Sequence, residues 1–303
     1  MAIFRRGICY VTGLWFVTVL VIPYLFFSVS QSLQTERNDV DISVFDSQVK
    51  PTSFSIAVIG DVHLPEGQDY LAEFRSLLLE VKAAKPDLVV FVGDYTTNPR
   101  DVEDMPKHRS NIIEALKLVD PIPRAVVLGN YESWSDADTW LTEFARLGVD
   151  ALENETRFIA TENGLICIRG FGDKYTGRFE FSDYPEACRS LPKLSITHDP
   201  AGAFEEGVTG LVIAAHTHCG QVSLPFVGPL WVPSEAPSDA HCGLYQDSDR
   251  TVFVTSGVGT SILPLRYGAQ SQWDLIDLNF MQKPSVPMRI NTGLPLIEGS
   301  GPL

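Results

Sequence analysis

Five apolar runs in this sequence end on side chains that bind divalent ions. "FSIAVI" leads into "GDVH" (Asp61, His63), "DLVVFV" into "GD" (Asp94) and "RAVVL" into "GN" (Asn130). "LSIT" leads into "HD" (His198), and "GLVIAA" into "HTH" (His216, His218). Four of the six histidines stand at these places. Taken singly, each has an ordinary explanation. Gly-Asp and Gly-Asn after a strand are turns, and a lone histidine there is a surface or core-edge residue. Five such coincidences in one chain are not explained as turns. Asp, Asn and His offer oxygen and neutral nitrogen, a donor set suited to Mn²⁺, Fe or Zn²⁺, with Mg²⁺ a further option, and without the thiolate that would select zinc alone. One carboxylate can bridge two such ions about 3.5–4 Å apart. Together the ions polarise a phosphoryl group and bring the pKa of water into the physiological range.

Elements that could gather these residues are visible around them. The runs do not alternate between apolar and polar, which suggests strands buried on both faces; "GLICIR" (164–169) and "TVFVT" (251–255) read the same way. Between them, "DYLAEFRSLLLEVKAAK" carries Leu71, Phe74, Leu78 and Val81 on one helical face and stops before Pro86. "SNIIEALKLV" and "DTWLTEFARLG" have similar patterns. The alternation predicts an α/β domain with a largely parallel sheet, at least in its first half. Ligands of such folds collect beyond the carboxyl ends of the strands, where the five polar clusters fall.

The N-terminus is of a different kind. Residues 8–29, "ICYVTGLWFVTVLVIPYLFFSV", are 22 uncharged residues, against roughly 20 for one helical crossing of a bilayer. A cleaved signal peptide is the competing reading, although its apolar region is usually shorter. Arg5 and Arg6 precede the run and acidic residues dominate after it. The positive-inside rule then places the N-terminus in the cytoplasm and the main domain across the membrane. The expected organisation is a transmembrane anchor over 1–30, a polar linker over 31–52, a catalytic domain over 53–282 and a Pro/Gly-rich tail over 283–303. Arg5 and Arg6 are two of the chain's 23 Lys and Arg, so 21 remain beyond the anchor against 38 Asp and Glu, a net charge of −17. Such a domain repels nucleic-acid backbones, and no nucleic-acid partner is expected. A phosphate could still be drawn in, because bound ions reverse the local field. Cys167, Cys188, Cys219 and Cys242 show no CxxC spacing, so neither a zinc ribbon nor a disulfide framework is indicated.

The ordered set "GDVH … VVFVGD … VVLGNYE … ITHDP … AAHTHCGQ", over about residues 54–280, resembles the calcineurin-like metallophosphoesterases. The resemblance implies an α/β fold, a four-layer α/β/β/α sandwich (the metallo-dependent phosphatase fold), here after an N-terminal transmembrane helix. It also implies two divalent metal ions. Asp61, His63 and His218 would hold one, Asn130, His198 and His216 the other, with Asp94 as the bridge. "HTHCGQVSLP", "GLY" (243–245) and "SGVGTSILPLRYG" (256–268) are similar to the membrane-anchored YkuE/YaeI-type branch, which includes UDP-diacylglucosamine pyrophosphatases. The implied activity is hydrolysis of a phosphoester or pyrophosphate bond in a phosphorylated small molecule or lipid.

The sequence departs from the family pattern in places. Ala215 and Cys219 stand where "GHTHGGQ" has glycines, and Ser271-Gln272 where Pro-Glu is common. Cys219 is either a soft extra ligand or a small residue in place of glycine. Tyr131 stands where the family has a histidine that protonates the leaving oxygen. A tyrosine can hydrogen-bond there, but with a pKa near 10 it gives up a proton poorly at neutral pH. The expected substrates therefore have leaving groups that need little protonation, unless His241 or His108 fills the gap. Arg266 is a candidate to grip a phosphate, with a structural salt bridge as the alternative. "LPFVGPLWVP" (224–233) is either a membrane-interface segment or a plain buried loop. Asp173 and Asn154 are expected at turns. Against the hydrolase stands a non-catalytic or weakly active binding module on the same fold, for which Tyr131 is the only argument.

Overall fold

The computed structural model describes residues 34–282. The anchor expected over 1–30 and the tail over 283–303 lie outside those residues. No helix of the described residues is long and apolar enough to cross a membrane. In chain order, the strands are β1 (Glu36–Phe45), β2 (Thr52–Ile59), β3 (Leu88–Val92), β4 (Arg124–Val127), β5 (Glu155–Thr161), β6 (Gly164–Gly170), β7 (Lys193–Ile196), β8 (Gly210–Ala214), β9 (Ser223–Leu224), β10 (Gly228–Pro229), β11 (Gly243–Gln246), β12 (Arg250–Val254) and β13 (Gln272–Met281). The α-helices are α1 (Gln68–Ala83), α2 (Met105–Leu116), α3 (Asn130–Trp134) and α4 (Ala137–Arg146).

Two sheets lie face to face. One has the order β1-β13-β2-β3-β4 and the other β11-β12-β8-β7-β6-β5. Between them sits one apolar cluster, with Ile56, Val58, Val90 and Val127 from the first sheet against Ile166, Ile168, Ile196 and Ile213 from the second. A second cluster joins the outer face of the first sheet to the helices through Leu78, Ile112, Trp140 and Phe144. The strands are therefore covered on both faces, which is why they read as unbroken apolar runs. α1 buries the four residues that its periodicity marks. α2 and α4 begin at Asp104 and Asp136, whose side chains accept from the backbone N–H groups of Lys107 and Thr139.

The structure corrects three expectations. The polar stretch over 31–52 is not a linker throughout, because β1 pairs in parallel along the whole of β13. Its alternating Val40, Ile42 and Val44 pack on the inter-sheet core, while Asp39, Asp41 and Ser43, which alternate with them, are exposed. Helices cover one side only. The outer face of the second sheet (Val212, Ala214, Val252, Val254) is covered by the 3₁₀ segment Pro200–Phe204 and by Phe171 and Phe179, not by a further helical layer. Finally, the four cysteines of the described residues form two disulfides, Cys167–Cys188 and Cys219–Cys242. The pairs stand 21 and 23 positions apart in the chain, and topology rather than a short motif brings them together.

Loops of this length are stabilised by closure by roughly 3 kcal/mol each. Replacing either pair by serine is expected to lower the unfolding free energy by about 2–4 kcal/mol. Urea denaturation of the full chain in detergent, with and without reductant, checks this. A midpoint indifferent to both treatments would rule the bridges out.

Candidate metal centre

β2, β3, β4, β7 and β8 all end at one edge of the two sheets. The residues that follow turn sharply there. Asp61, His63, Asp94, His216 and His218 have φ between 45° and 69°, in the left-handed region that non-glycine residues seldom adopt. Such strain persists only where surrounding contacts over-determine it, and it clusters at functional sites. Glycines make the approach possible. A side chain on Gly93 (φ 88°) would lie 2.6 Å from the Gly129 nitrogen and 2.7 Å from His198 Nδ1.

All seven sequence-marked ligands arrive at this edge, each at most 5% exposed. Two groups of converging ligand atoms result, Asp61–His63–His218 and Asp94–His198–His216. Asp94 Oδ2 lies 3.5 Å from His63 Nε2 and 3.3 Å from His198 Nε2, so it faces one histidine of each group. Asn130 Oδ1 is 3.1 Å from His198 Nε2 and completes the second group.

Hydrogen bonds set how the histidine rings face the centre. His198 Nδ1 donates to the Val92 carbonyl at 2.7 Å, leaving Nε2 toward Asp94 and Asn130. His216 Nε2 donates to the Pro233 carbonyl at 2.6 Å, leaving Nδ1 only 3.2 Å from His198 Nε2. His63 and His218 bring their Nε2 atoms to 3.0 Å. His198 and His216, each with one nitrogen held by a carbonyl and the other turned toward its neighbour, have the arrangement of metal-ligating histidines. A second sign agrees with it. Asp61 Oδ2 is buried without a hydrogen-bond partner, while Oδ1 accepts only from the His216 backbone N–H at 3.1 Å. Burial pushes the Asp61 carboxyl up to about 7, against the pull of His198 and Arg266. The residues fit a pair of divalent ions, although nothing in them selects which metal.

The other groups carry matching shifts. Burial drives His63 down to about 4, His218 well down and His216 down. Burial opposes the charge of Asp94, yet His198 holds it at about 2, and Asp94 in turn raises His198 against its own burial.

One residue with a large role carried no signal of its own. Glu132 is fully buried and accepts from four backbone N–H groups, those of Asp94, Tyr95, Thr96 and Gly129, at 2.8–3.1 Å. It reaches back to the start of α3 as in a capping box, and the same carboxylate clamps the loop after β3. Burial, then the charge of Asp94, pushes it up to about 7, and the N–H groups of Thr96 and Gly129 pull the other way.

Arg266 does not face the cleft. Its guanidinium is buried and donates to the carbonyls of Ser256, Gly257 and Gly259, with Nη2 3.1 Å from His218 Nδ1. Burial lowers its pKa to about 10. It is neither a phosphate grip nor a salt bridge, but a strut tying the loop 256–259 behind His218. Cys219 is not a ligand, because it is bonded to Cys242. His108 Nε2 bonds the Leu64 carbonyl and His241 Nε2 the Ala236 carbonyl, and neither lines the cleft beside the histidines. Asp173 holds a turn, as expected, by accepting from the N–H groups of Tyr175 and Thr176, and the Tyr175 ring stands 4.7 Å from that of His216. Asn154 instead bridges distant chain, accepting from the Gly172 N–H and donating to the Arg178 carbonyl.

Tyr131 does line that cleft. Its N–H donates to Asp94 Oδ1 at 2.9 Å, its ring stands edge-on to His63, and its hydroxyl is 2.8 Å from Ser261 Oγ. Burial raises its pKa further above 10, so it stays protonated.

A family model, "Calcineurin-like phosphoesterase", matches residues 54–220, more than half of the chain. The chain belongs to the calcineurin-like phosphoesterases. As a member of that family it is a hydrolase, a metallophosphoesterase. Among curated relatives, "Uncharacterized metallophosphoesterase YkuE" of Bacillus subtilis is 27% identical over 227 residues, 72% of this chain and 77% of that protein. "Phosphodiesterase YaeI" of Escherichia coli is 26% identical over 231 residues, 74% and 82%. A solved 5'-nucleotidase precursor from Thermus thermophilus overlays at a TM-score of 0.46 and 12% identity, covering 74% of this chain and 55% of that one.

Two outcomes follow from the calcineurin-like arrangement. Glu132→Gln removes an acceptor from its four N–H groups and is expected to weaken metal affinity about 10- to 100-fold, read by Mn²⁺ titration. Metal binding requires Asp61 as a carboxylate, whereas the metal-free chain protonates it below about 7. Affinity is therefore expected to fall as pH drops through 7, with protons released on binding. Calorimetry in buffers of different ionisation enthalpy measures that release. A pH-independent affinity between about 6 and 8 would contradict the ligand set.

Proposed function

We propose that the protein hydrolyses a phosphoester or pyrophosphate bond whose non-reacting part is apolar, as in a lipid or a nucleotide-linked lipid. The observation that carries this reading is the cleft itself, about 490 Å³. Asn130, His216 and His218 form its polar floor; Tyr131, Trp134, Tyr175, Leu230, Trp231, Ile262, Leu263 and Leu265 form walls with little charge. Apolar walls beside a metal floor suit a substrate with a phosphate at one end and hydrocarbon at the other.

In this reading Asp61, His63 and His218 would hold one ion and Asn130, His198 and His216 the other, with Asp94, which faces both groups, serving both. Bound there, two divalent ions (Mn²⁺, Fe or Zn²⁺ by donor type, with Mg²⁺ possible) would polarise the phosphoryl group and lower the pKa of water. The chain's own groups orient and exclude. The carbonyls of Val92 and Pro233 hold the two imidazoles, and Glu132 fixes the loop of Asp94. Tyr131 and Ser261 offer a hydroxyl pair at the wall. Because Tyr131 keeps its proton, the leaving group must depart without one from it, as a phosphate or nucleotide from pyrophosphate does and a simple alkoxide does not. No observation favours the binding-module alternative.

The uncharged run over residues 8–29 is read as a single-pass anchor, with the catalytic domain on the non-cytoplasmic side. Two disulfides support that side, since such bridges persist in oxidising compartments.

The test uses the full chain with Mn²⁺ on a pyrophosphate-linked lipid, an aryl diester and an alkyl monoester. The first two are expected to turn over and the third poorly. Tyr131→His should raise alkyl-ester turnover by about 100-fold, and Asp94→Ala should abolish all hydrolysis with the fold retained by circular dichroism. Preference of the wild type for the alkyl monoester would sink the reading.

A further inference from the structure

The mouth of the cleft bears an unusual surface. β9 and β10 form a short hairpin with Phe226 and Val227 at its tip, and Leu230 and Trp231 follow it. Ile262 and Leu263 lie in the adjacent loop, which Gln221 holds by donating to the carbonyls of Ser261 and Leu263. All six side chains are more than half exposed, Phe226 completely and Ile262 at 78%. No charged residue occurs from Gly207 to Ser234 or from Thr251 to Leu265. Leu230, Trp231, Ile262 and Leu263 also line the cleft, so its wall and its apolar rim are one surface. Apolar side chains contiguous over such a rim mark a binding surface rather than ordinary solvent-facing residues.

The path of the chain says what covers it. β13 runs antiparallel to β2, with Asp274 opposite Val58, and β1 runs parallel to β13, with Glu36 opposite Gln272. β1 therefore starts at the edge where β2 ends and the metal ligands begin. Gln34 and Thr35 are tied there by Gln270 and Ser271. The apolar run ends at residue 29, five positions earlier. Five residues span at most about 18 Å. The run is thus delivered to the edge that carries the metal centre and the apolar rim.

We infer that the rim formed by the hairpin tip and residues 262–263 seats in the surface of a lipid bilayer, so that the cleft opens into the membrane. This rests on residues 8–29 being the anchor proposed above. With a net charge of −17 beyond residue 30, the domain is not drawn to an anionic surface by charge. Its attachment is apolar, with Trp231 at the depth where indole rings favour the interface. A substrate then passes from bilayer to cleft with its hydrocarbon never in water.

The full chain, carrying Cys9→Ser and one spin-labelled cysteine at a time (Phe226→Cys, Ile262→Cys or Asn163→Cys), is reconstituted in phosphatidylcholine vesicles. Labels at 226 and 262 are expected to be relaxed by oxygen, which partitions into lipid, and shielded from an aqueous nickel chelate. The label at 163, on the opposite edge before β6, should show the reverse. Aqueous access at 226 and 262 overturns the inference. So does shielding from both relaxants, which would place a second copy or residues 283–303 on the rim. A second arm uses Phe226→Glu/Val227→Glu, neither of which lines the cleft. Turnover of a water-soluble aryl diester should be unchanged, and that of a vesicle-borne pyrophosphate lipid should fall at least about tenfold. An equal rate on the lipid also overturns docking. Lipid-embedded labels in a protein that turns over only the aryl diester would uphold docking and defeat the lipid-substrate reading. Aqueous labels with intact lipid turnover would do the opposite.

Discussion

Three carboxylates, Asp61, Asp94 and Glu132, are buried together at the end of the sheets, each at most 2% exposed. Such a cluster is untenable unless each charge is answered separately. Glu132 is answered by four backbone amides. Asp94 is answered by His198 and by the Tyr131 amide. Asp61 keeps one oxygen with no partner among the described residues. The backbone has absorbed one charge and side chains a second, and only the third points to something outside the polypeptide. The order matters, because the amides taken by Glu132 belong to the same loops that aim Asp94 and Asn130.

The twisted loops answer to the same demand. Strands that are parallel within each sheet deliver their carboxyl ends to one edge, but an extended backbone would carry each side chain past the centre. Left-handed turns at five of the seven ligands stop the chain immediately after the strand. The energetic cost of those turns is offset by the two packed sheets behind them, joined by one apolar cluster. Rigidity of the scaffold is what allows strain at the rim.

Much of this could be read from the residues alone, for a definite reason. Asp61, His63, Asp94, Asn130, His198, His216 and His218 each follow a buried strand directly, so local order in the chain reports position in space. Arg266 could not be placed that way. A guanidinium that grips a phosphate and one that satisfies three carbonyls have the same sequence. Glu132 was masked by its neighbours, since the residue three places into a short helix reads as a cap and its reach to the β3 loop is not local. β1 was hidden by its edge position, where Asp39, Asp41 and Ser43 occupy the outward face and make the stretch read as polar. The disulfides join residues more than 20 positions apart, and no spacing rule anticipates them. The second helical layer is replaced by irregular chain, because the outer cluster on that side is small enough for a 3₁₀ turn and a few aromatic rings to cover.

The position of β13 also sets a schedule. It lies between β1 and β2, pairing Asp274 with Val58 across 216 positions of sequence. As the chain is made, β2, β3 and β4 can assemble with their helices early, but they wait with an open flank beside β2 until the last strand arrives. β1, the first of the described strands to be made, has its partner only in β13. Closure over so long a loop is slow, and the waiting intermediate exposes a hydrogen-bonding edge of the kind that recruits other chains. The last strand to be made is therefore the one that joins the first strand to the rest of the sheet.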